Sequence, residues 1–145
     1  MNRIVAFGCS NTQGQALPDL EDGDNNVSEY AWPSVLAKNL GFTVWNRAHG
    51  GASNKLILHR LLNTDFEKRD IVVIQWTAFC RSCFIDTDFT WDPSPYQIKR
   101  PNWNKVNLIA KQFSDIDYGW DNDHPGVKSQ KLMAEFMQKH LELIL

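Results

Sequence analysis

Ser10 follows a short apolar run and stands between Gly8 and Gly14, while Asp121, His124 and Pro125 cluster just ahead of the last helical pattern. These residue types are the parts of nucleophilic acyl transfer. A serine hydroxyl attacks a carbonyl only weakly until an imidazole takes its proton, and that imidazole needs an acceptor on its other ring nitrogen. Asp121 and His124, three apart in a turn, can make that second contact locally. Gly51, in the pair Gly50-Gly51, offers a backbone amide with no side chain in front of it, as an oxyanion donor needs. Each feature also has a plain structural reading. A serine after a strand caps a turn, a histidine beside proline enters a helix, and Asp121 or Asp123 serves as an N-cap. Asp123 is also a rival orienting carboxylate for His124.

The elements that must position these residues alternate in type. Residues 4–7 (Ile-Val-Ala-Phe) are a buried strand stopped by Gly8. Residues 10–29 are polar and acidic and are expected to be a loop. Trp32, Val35, Leu36 and Leu40 repeat at helical spacing, with Pro33 suited to the first turn and Gly41 to the C-terminal cap. Residues 42–45 are a second strand. Leu56, Ile57, His59, Arg60 and Leu61 belong to a second helix, with Ser53 as N-cap. Residues 71–74 (Ile-Val-Val-Ile) are the strongest strand, and their continuous apolar character predicts cover on both faces. Residues 80–103 read as irregular, with an edge strand near 84–89. Val106, Ile109, Ala110 and Phe113 give a third helix. Val127, Leu132, Met133, Phe136, Met137, His140, Leu141 and Ile144 form one stripe of a last helix, read as core. This alternation implies a right-handed α/β sandwich with a mostly parallel sheet, in which chemistry gathers at the carboxyl ends of the strands.

Composition narrows the function classes. A chain of 145 residues suits one domain, and 43% hydrophobic against 22% charged residues supplies a core. A net charge of −2 gives no electrostatic footprint for nucleic acid and no polybasic membrane patch. No apolar run reaches the ~20 residues of a spanning helix, and the first residues lack a signal-type apolar segment. Three cysteines, Cys9, Cys80 and Cys83, are too few and odd in number for a disulfide framework. The expectation is a cytoplasmic domain with reduced thiols.

Three blocks together resemble the SGNH (GDSL-type) hydrolase family. Phe7-Gly8-Cys9-Ser10-Asn11-Thr12-Gln13-Gly14 is similar to that family's first block, Phe-Gly-Asp-Ser-x-Thr-x-Gly. Asn46-x-Ala48-x-Gly50-Gly51-Ala52-Ser53 is similar to the second, and Asp121-x-x-His124-Pro125 to the last. Trp32-Pro33, Ser53-Asn54 and Gln75-Trp76-Thr77 with a following Arg81 are similar to a short phage and bacterial branch. The blocks occur in family order across residues 3–140. The resemblance implies a single domain over residues 1–145 with a compact three-layer α/β/α sandwich, of SGNH-hydrolase or flavodoxin-like type. It implies Ser10 as nucleophile, His124 as general base and Asp121 as its orienting carboxylate. The amides of Ser10 and Gly51 would form two parts of the oxyanion hole. The family's third donor, an Asn, falls at Thr77 here, with Asn54 on the neighbouring loop as a substitute. Losing one such donor typically costs ~3 kcal/mol of transition-state stabilisation. Cys9 stands where the family has Asp. The implied activity is an esterase cleaving small acyl esters, O-acetyl groups on carbohydrate among them, through an acyl-Ser10 intermediate. The implied reaction requires no metal or organic cofactor.

The rival reading is a catalytically weakened SGNH-like domain that serves as a glycan-binding or assembly module. The departure at Thr77 and the short segment after the third strand motivate it, with a shallow pocket completed by a second subunit of a homo-oligomer. Cys80-Arg81-Ser82-Cys83 has CxxC spacing, but it lies after the third strand and has no second ligand pair, so redox and zinc readings rank below chance. The acidic residues 19–24 lack the ligand spacing of a calcium loop. Tyr96, Lys99, Arg100, Trp103 and Lys105 mix bases with aromatics that suit either sugar stacking or plain surface packing. His49 reads as a pocket-lining or solvent-facing residue, and His59 and His140 as structural.

Overall fold

The computed structural model describes residues 2–77, 84–85, 91–92 and 116–142. Three strands, β1 (Arg3–Phe7), β2 (Thr43–Asn46) and β3 (Asp70–Ile74), form a parallel sheet in the order β2-β1-β3. Ile4 lies opposite Val44 on one side and Ile71 on the other. The connections are helical: α1 (Ser10–Gln13) and α2 (Trp32–Leu40) between β1 and β2, then α3 (Asn54–Leu62) between β2 and β3. The class is α/β, as the alternation predicts. Two short strands, β4 (Phe84–Ile85) and β5 (Trp91–Asp92), pair with each other antiparallel, and α4 (Val127–Leu141) follows. The strand expected near 84–89 therefore pairs with β5, and among the described residues it does not extend the parallel sheet. The expected helix at 106–113, and Arg81, Cys80 and Cys83, lie outside the described residues.

Side chains alternate along a strand, so β1 contributes to two cores. Ile4 and Ala6 pack with Val73, with Trp32, Leu36 and Ala37 of α2, and with Ala134 and Leu141 of α4. Val5 and Phe7 pack with Ala52, Leu56 and Ile57 around α3. The central strand is sealed, but β3 is not: Val72 is 41% exposed, although Ile74 on the same face packs against the α3 core. That corrects the expectation of cover on both faces. Arg3 and Asp70, opposite each other across β1 and β3, pin the amino ends of these strands, with Nε and Nη2 donating to the two carboxylate oxygens at 2.8 and 2.7 Å.

Local signals explain most boundaries. α2 carries Pro33 in its first turn and ends at Gly41 in the left-handed region. Its closure draws in the Phe42 amide, which donates to Ala37 O at 2.9 Å, so β2 begins at Thr43, one residue later than the apolar run suggests. Ser53 caps α3 as expected, its hydroxyl accepting from Leu56 N at 3.3 Å. Two readings need correction. Residues 10–29 are not all loop, since Ser10–Gln13 make the short helix α1, closed by Gly14. The expected stripe of α4 is borne out in part: Leu141 is buried and Met133 and Met137 pack against the core, but Leu132 and Phe136 are exposed, and Ser129, Gln130 and Ala134 are buried instead. The buried face is shifted from the apolar stripe because two polar side chains of α4, Ser129 and Gln130, face inward and hold other segments. Among the described residues no helix is long and apolar enough to cross a membrane.

Candidate active site

With strand order β2-β1-β3, the chain passes from β1 to β2 on one side and returns to β3 on the other, an arrangement in which binding sites gather at the carboxyl ends of the strands. The chain turns there into α1, which places Ser10 at the first helical position, 3% exposed. Its amide precedes the first turn and has no intrahelical acceptor, as for any residue at a helix start.

Thr12, on the same turn, ties all three strand ends together. Its hydroxyl donates to Gln75 Oε1 at 2.5 Å, just beyond β3. Its carbonyl accepts from Asn46 Nδ2 at 2.7 Å, at the end of β2, and Asn46 Oδ1 in turn accepts from Ala48 N at 3.0 Å. Gln75 Oε1 also accepts from Trp32 Nε1 at 3.2 Å. Gln130 of α4 bridges the opposite side, taking Trp32 N at 2.9 Å and giving its amide to Asn11 O at 3.1 Å. The turn that carries Ser10 is thus held by β2, β3, α2 and α4.

The segment carrying Asp121 and His124 is a closed loop bonded to the chain just after that turn. Tyr118 bridges Pro125, and Gly119 N donates to His124 O at 2.7 Å. Trp120 N donates to Ala16 O at 3.1 Å, six residues beyond Ser10. Gly119 is required at this contact: a Cβ there would lie 2.4 Å from Ala16 O. Asp117 anchors the base of the loop to α4, accepting from Lys128 N at 2.8 Å and from Ser129 N and Ser129 Oγ at 2.7 Å each. Gly126, the N-cap residue, has no side chain to do this, so Asp117 satisfies the first amides of α4 from outside. Burial pushes the Asp117 carboxyl up, but these amides and the hydroxyl outweigh it and hold it below the usual range.

Within the loop, the two oxygens of Asp121 have separate partners. Oδ1 accepts from the backbone amides of Asp123 and His124, both at 3.0 Å, and Oδ2 meets His124 Nδ1 at 2.5 Å. Asp123, the rival carboxylate, has no such contact among the described residues. Burial raises the Asp121 carboxyl, and the two amides and the His124 ring lower it further than that, so the net displacement is downward. An ionised Asp121 on Nδ1 keeps a proton there and leaves Nε2 as the ring's acceptor. Among the described residues no hydrogen bond joins Ser10 to His124. The segments that carry them are joined by the bond from Trp120 N to Ala16 O.

The expected oxyanion donors divide in two. The amides of Ser10 and Gly51 donate to no protein acceptor among the described residues, and Gly51 sits at φ 71, which points the loop away from helical closure. Asn54 and Thr77 instead bind each other: Asn54 Nδ2 donates to Thr77 O at 3.0 Å, and Thr77 N donates to Asn54 Oδ1 at 2.8 Å. The Asn54 carboxamide therefore clamps the start of α3 to the segment after β3, with one amide hydrogen left over. Cys9, the N-cap residue of α1, is buried and makes no side-chain capping bond. His49 is turned into its own loop, Nδ1 against Gly50 O at 2.8 Å, and Asp19 is engaged by Ser28 Oγ and Glu29 N. Among the described residues no group of three or more His, Cys, Asp and Glu side chains is placed to hold a metal ion.

Family models, curated proteins and solved structures yield no match to this chain. Thr12, Gln75, Gln130 and Asp117, which position the site, carry no local signal of that task, since their partners lie far away along the chain.

Proposed function

We propose that the chain is a serine hydrolase of SGNH type, an esterase acting on small acyl esters. The observation that carries the reading is the Asp121–His124 pair, joined at 2.5 Å in a loop whose backbone is bonded to Ala16, six residues after Ser10. In this reading Ser10 Oγ adds to the ester carbonyl carbon as His124 Nε2 takes its proton, and Asp121 stabilises the imidazolium. The amides of Ser10 and Gly51 receive the negative charge that develops on the carbonyl oxygen. Collapse breaks the bond to the alcohol, which leaves with the proton from His124. Water then repeats the cycle on acyl-Ser10 and releases the acid. The Ser10–His124 bond forms as substrate orders the site, since such contacts are often open in the free enzyme. The same reading takes residues 1–145 as one domain with a three-layer α/β/α arrangement, supported by the two cores that share β1.

A second reading, a glycan-binding or assembly module with weakened catalysis, is favoured by one observation. The Asn54 carboxamide is engaged with the Thr77 backbone, which leaves the third oxyanion donor poorly supplied. A fluorophosphonate probe and short-chain p-nitrophenyl esters decide between the two. Labelling and turnover that vanish in Ser10→Ala support the hydrolase. Turnover unchanged by that substitution overturns it, and no labelling at high probe concentration supports the binding module.

A further inference from the structure

Trp45, on β2, lies beneath two guanidinium groups. Its ring is 5.0 Å from Arg3 Cζ and 4.7 Å from Arg47 Cζ, both within the reach of a cation–π attraction. The two arginines differ in what neutralises them. Arg3 is held by Asp70 through two bonds and lies 3.3 Å from Glu67. Arg47 has no carboxylate partner among the described residues, and its Nε is buried without an acceptor. Arg60, in the last turn of α3, is brought to Arg47 by a bond from Nη1 to Arg47 O at 2.9 Å. It too lacks a carboxylate among the described residues. Burial first, and the Arg47 charge second, lower the Arg60 pKa, as expected of like charges kept close in a poorly hydrated place. A bound oxyanion relieves both strains, because guanidinium forks match the oxygens of phosphate and its charge offsets theirs.

We propose that Arg47 and Arg60, backed by the Trp45 ring, form a binding site for a phosphate-type oxyanion on the α3 side of the rim after β2. The loop that carries Gly51 starts at Arg47, so the site borders the candidate active site without depending on acyl chemistry there. The source of the anion is either free phosphate or the phosphate group of an organic monoester.

The test titrates the full chain with inorganic phosphate and, separately, phenyl phosphate, at constant ionic strength with chloride as control. In the unmodified protein, the Nε–H resonances of Arg47 and Arg60 are expected to shift along one saturating curve while that of Arg3 stays still. Arg60→Gln is expected to weaken binding about tenfold or more, whereas Lys131→Gln, removing a charge from the exposed side of α4, leaves it unchanged. Tighter binding of phenyl phosphate supports the site with a monoester as its ligand; equal binding supports it with free phosphate. Lack of saturation, equal shifts with chloride, movement of Arg3 alone, or wild-type affinity in Arg60→Gln each overturns the proposal. The arginine resonances are read in the native protein, so the outcome stands even where a variant fails to fold.

Discussion

Replacing Asp121 with Asn separates the orientation of His124 from the shape of its loop, because the two tasks fall on different oxygens. An asparagine with its carbonyl at the Oδ1 position keeps the bonds from Asp123 N and His124 N. Its NH2 then occupies the place of Oδ2 and presents a donor to His124 Nδ1. The ring must answer with a lone pair on Nδ1 and move its proton to Nε2, where a general base needs the lone pair. The expected loss in kcat/KM is ~10³–10⁴-fold, equivalent to ~4–5.5 kcal/mol of transition-state stabilisation. Stability falls much less. The lost charged bond joins side chains that are 17% and 21% exposed, so solvent screening limits it to about 1 kcal/mol. Ester hydrolysis and urea denaturation on the same samples measure both. The pH dependence has a definite sign: the Asp121 carboxyl is depressed in the folded chain, so its contribution is complete above the unfolded carboxylate range and disappears as pH falls through the folded pKa. The stability gap between wild type and Asp121→Asn therefore closes in acid. A variant that keeps activity within about fivefold of wild type, or loses it only as its folded fraction falls, refutes the orienting role.

Asp117→Ala removes the acceptor of Lys128 N, Ser129 N and Ser129 Oγ, and is expected to cost about 2 kcal/mol in urea denaturation at neutral pH. Because the Asp117 carboxyl is also depressed, that cost shrinks in acid by the same sign argument. Gly119→Ala places a methyl 2.4 Å from Ala16 O, so the loop must lift; a destabilisation of about 1–3 kcal/mol by thermal melting and a lower kcat are expected. Thr12→Val keeps the size but removes the hydroxyl bond to Gln75, and a loss of about 1 kcal/mol is expected from denaturant midpoints.

How much of this was legible along the chain depends on how local each signal is. Pro33 and Gly41 bracket α2, and Ser53 opens α3, because a fixed φ, a left-handed φ and a capping hydroxyl act within a turn of their own position. The Asp121–His124 pair was readable for the same reason, being three residues apart. The face of α4 was readable only in part, at Met133, Met137 and Leu141. Apolar spacing pointed to Leu132 and Phe136, yet Ser129 and Gln130 are buried, since burying a polar side chain depends on acceptors and donors contributed from elsewhere. The helical start at Ser10 was missed because a single turn has too few residues to show a period.

Sequence alone determined the alternation of strands and helices, the parallel sheet, and the local contact between Asp121 and His124. These follow from propensities and spacings that each segment carries with it. Tertiary structure decided which of them meet: it bonded Trp120 to Ala16, Gln130 to Asn11 and Thr12 to Gln75, and it engaged Asn54 with Thr77. Those bonds span as many as 119 positions of chain, a separation over which no local pattern carries information and only the packed sheet brings donor to acceptor.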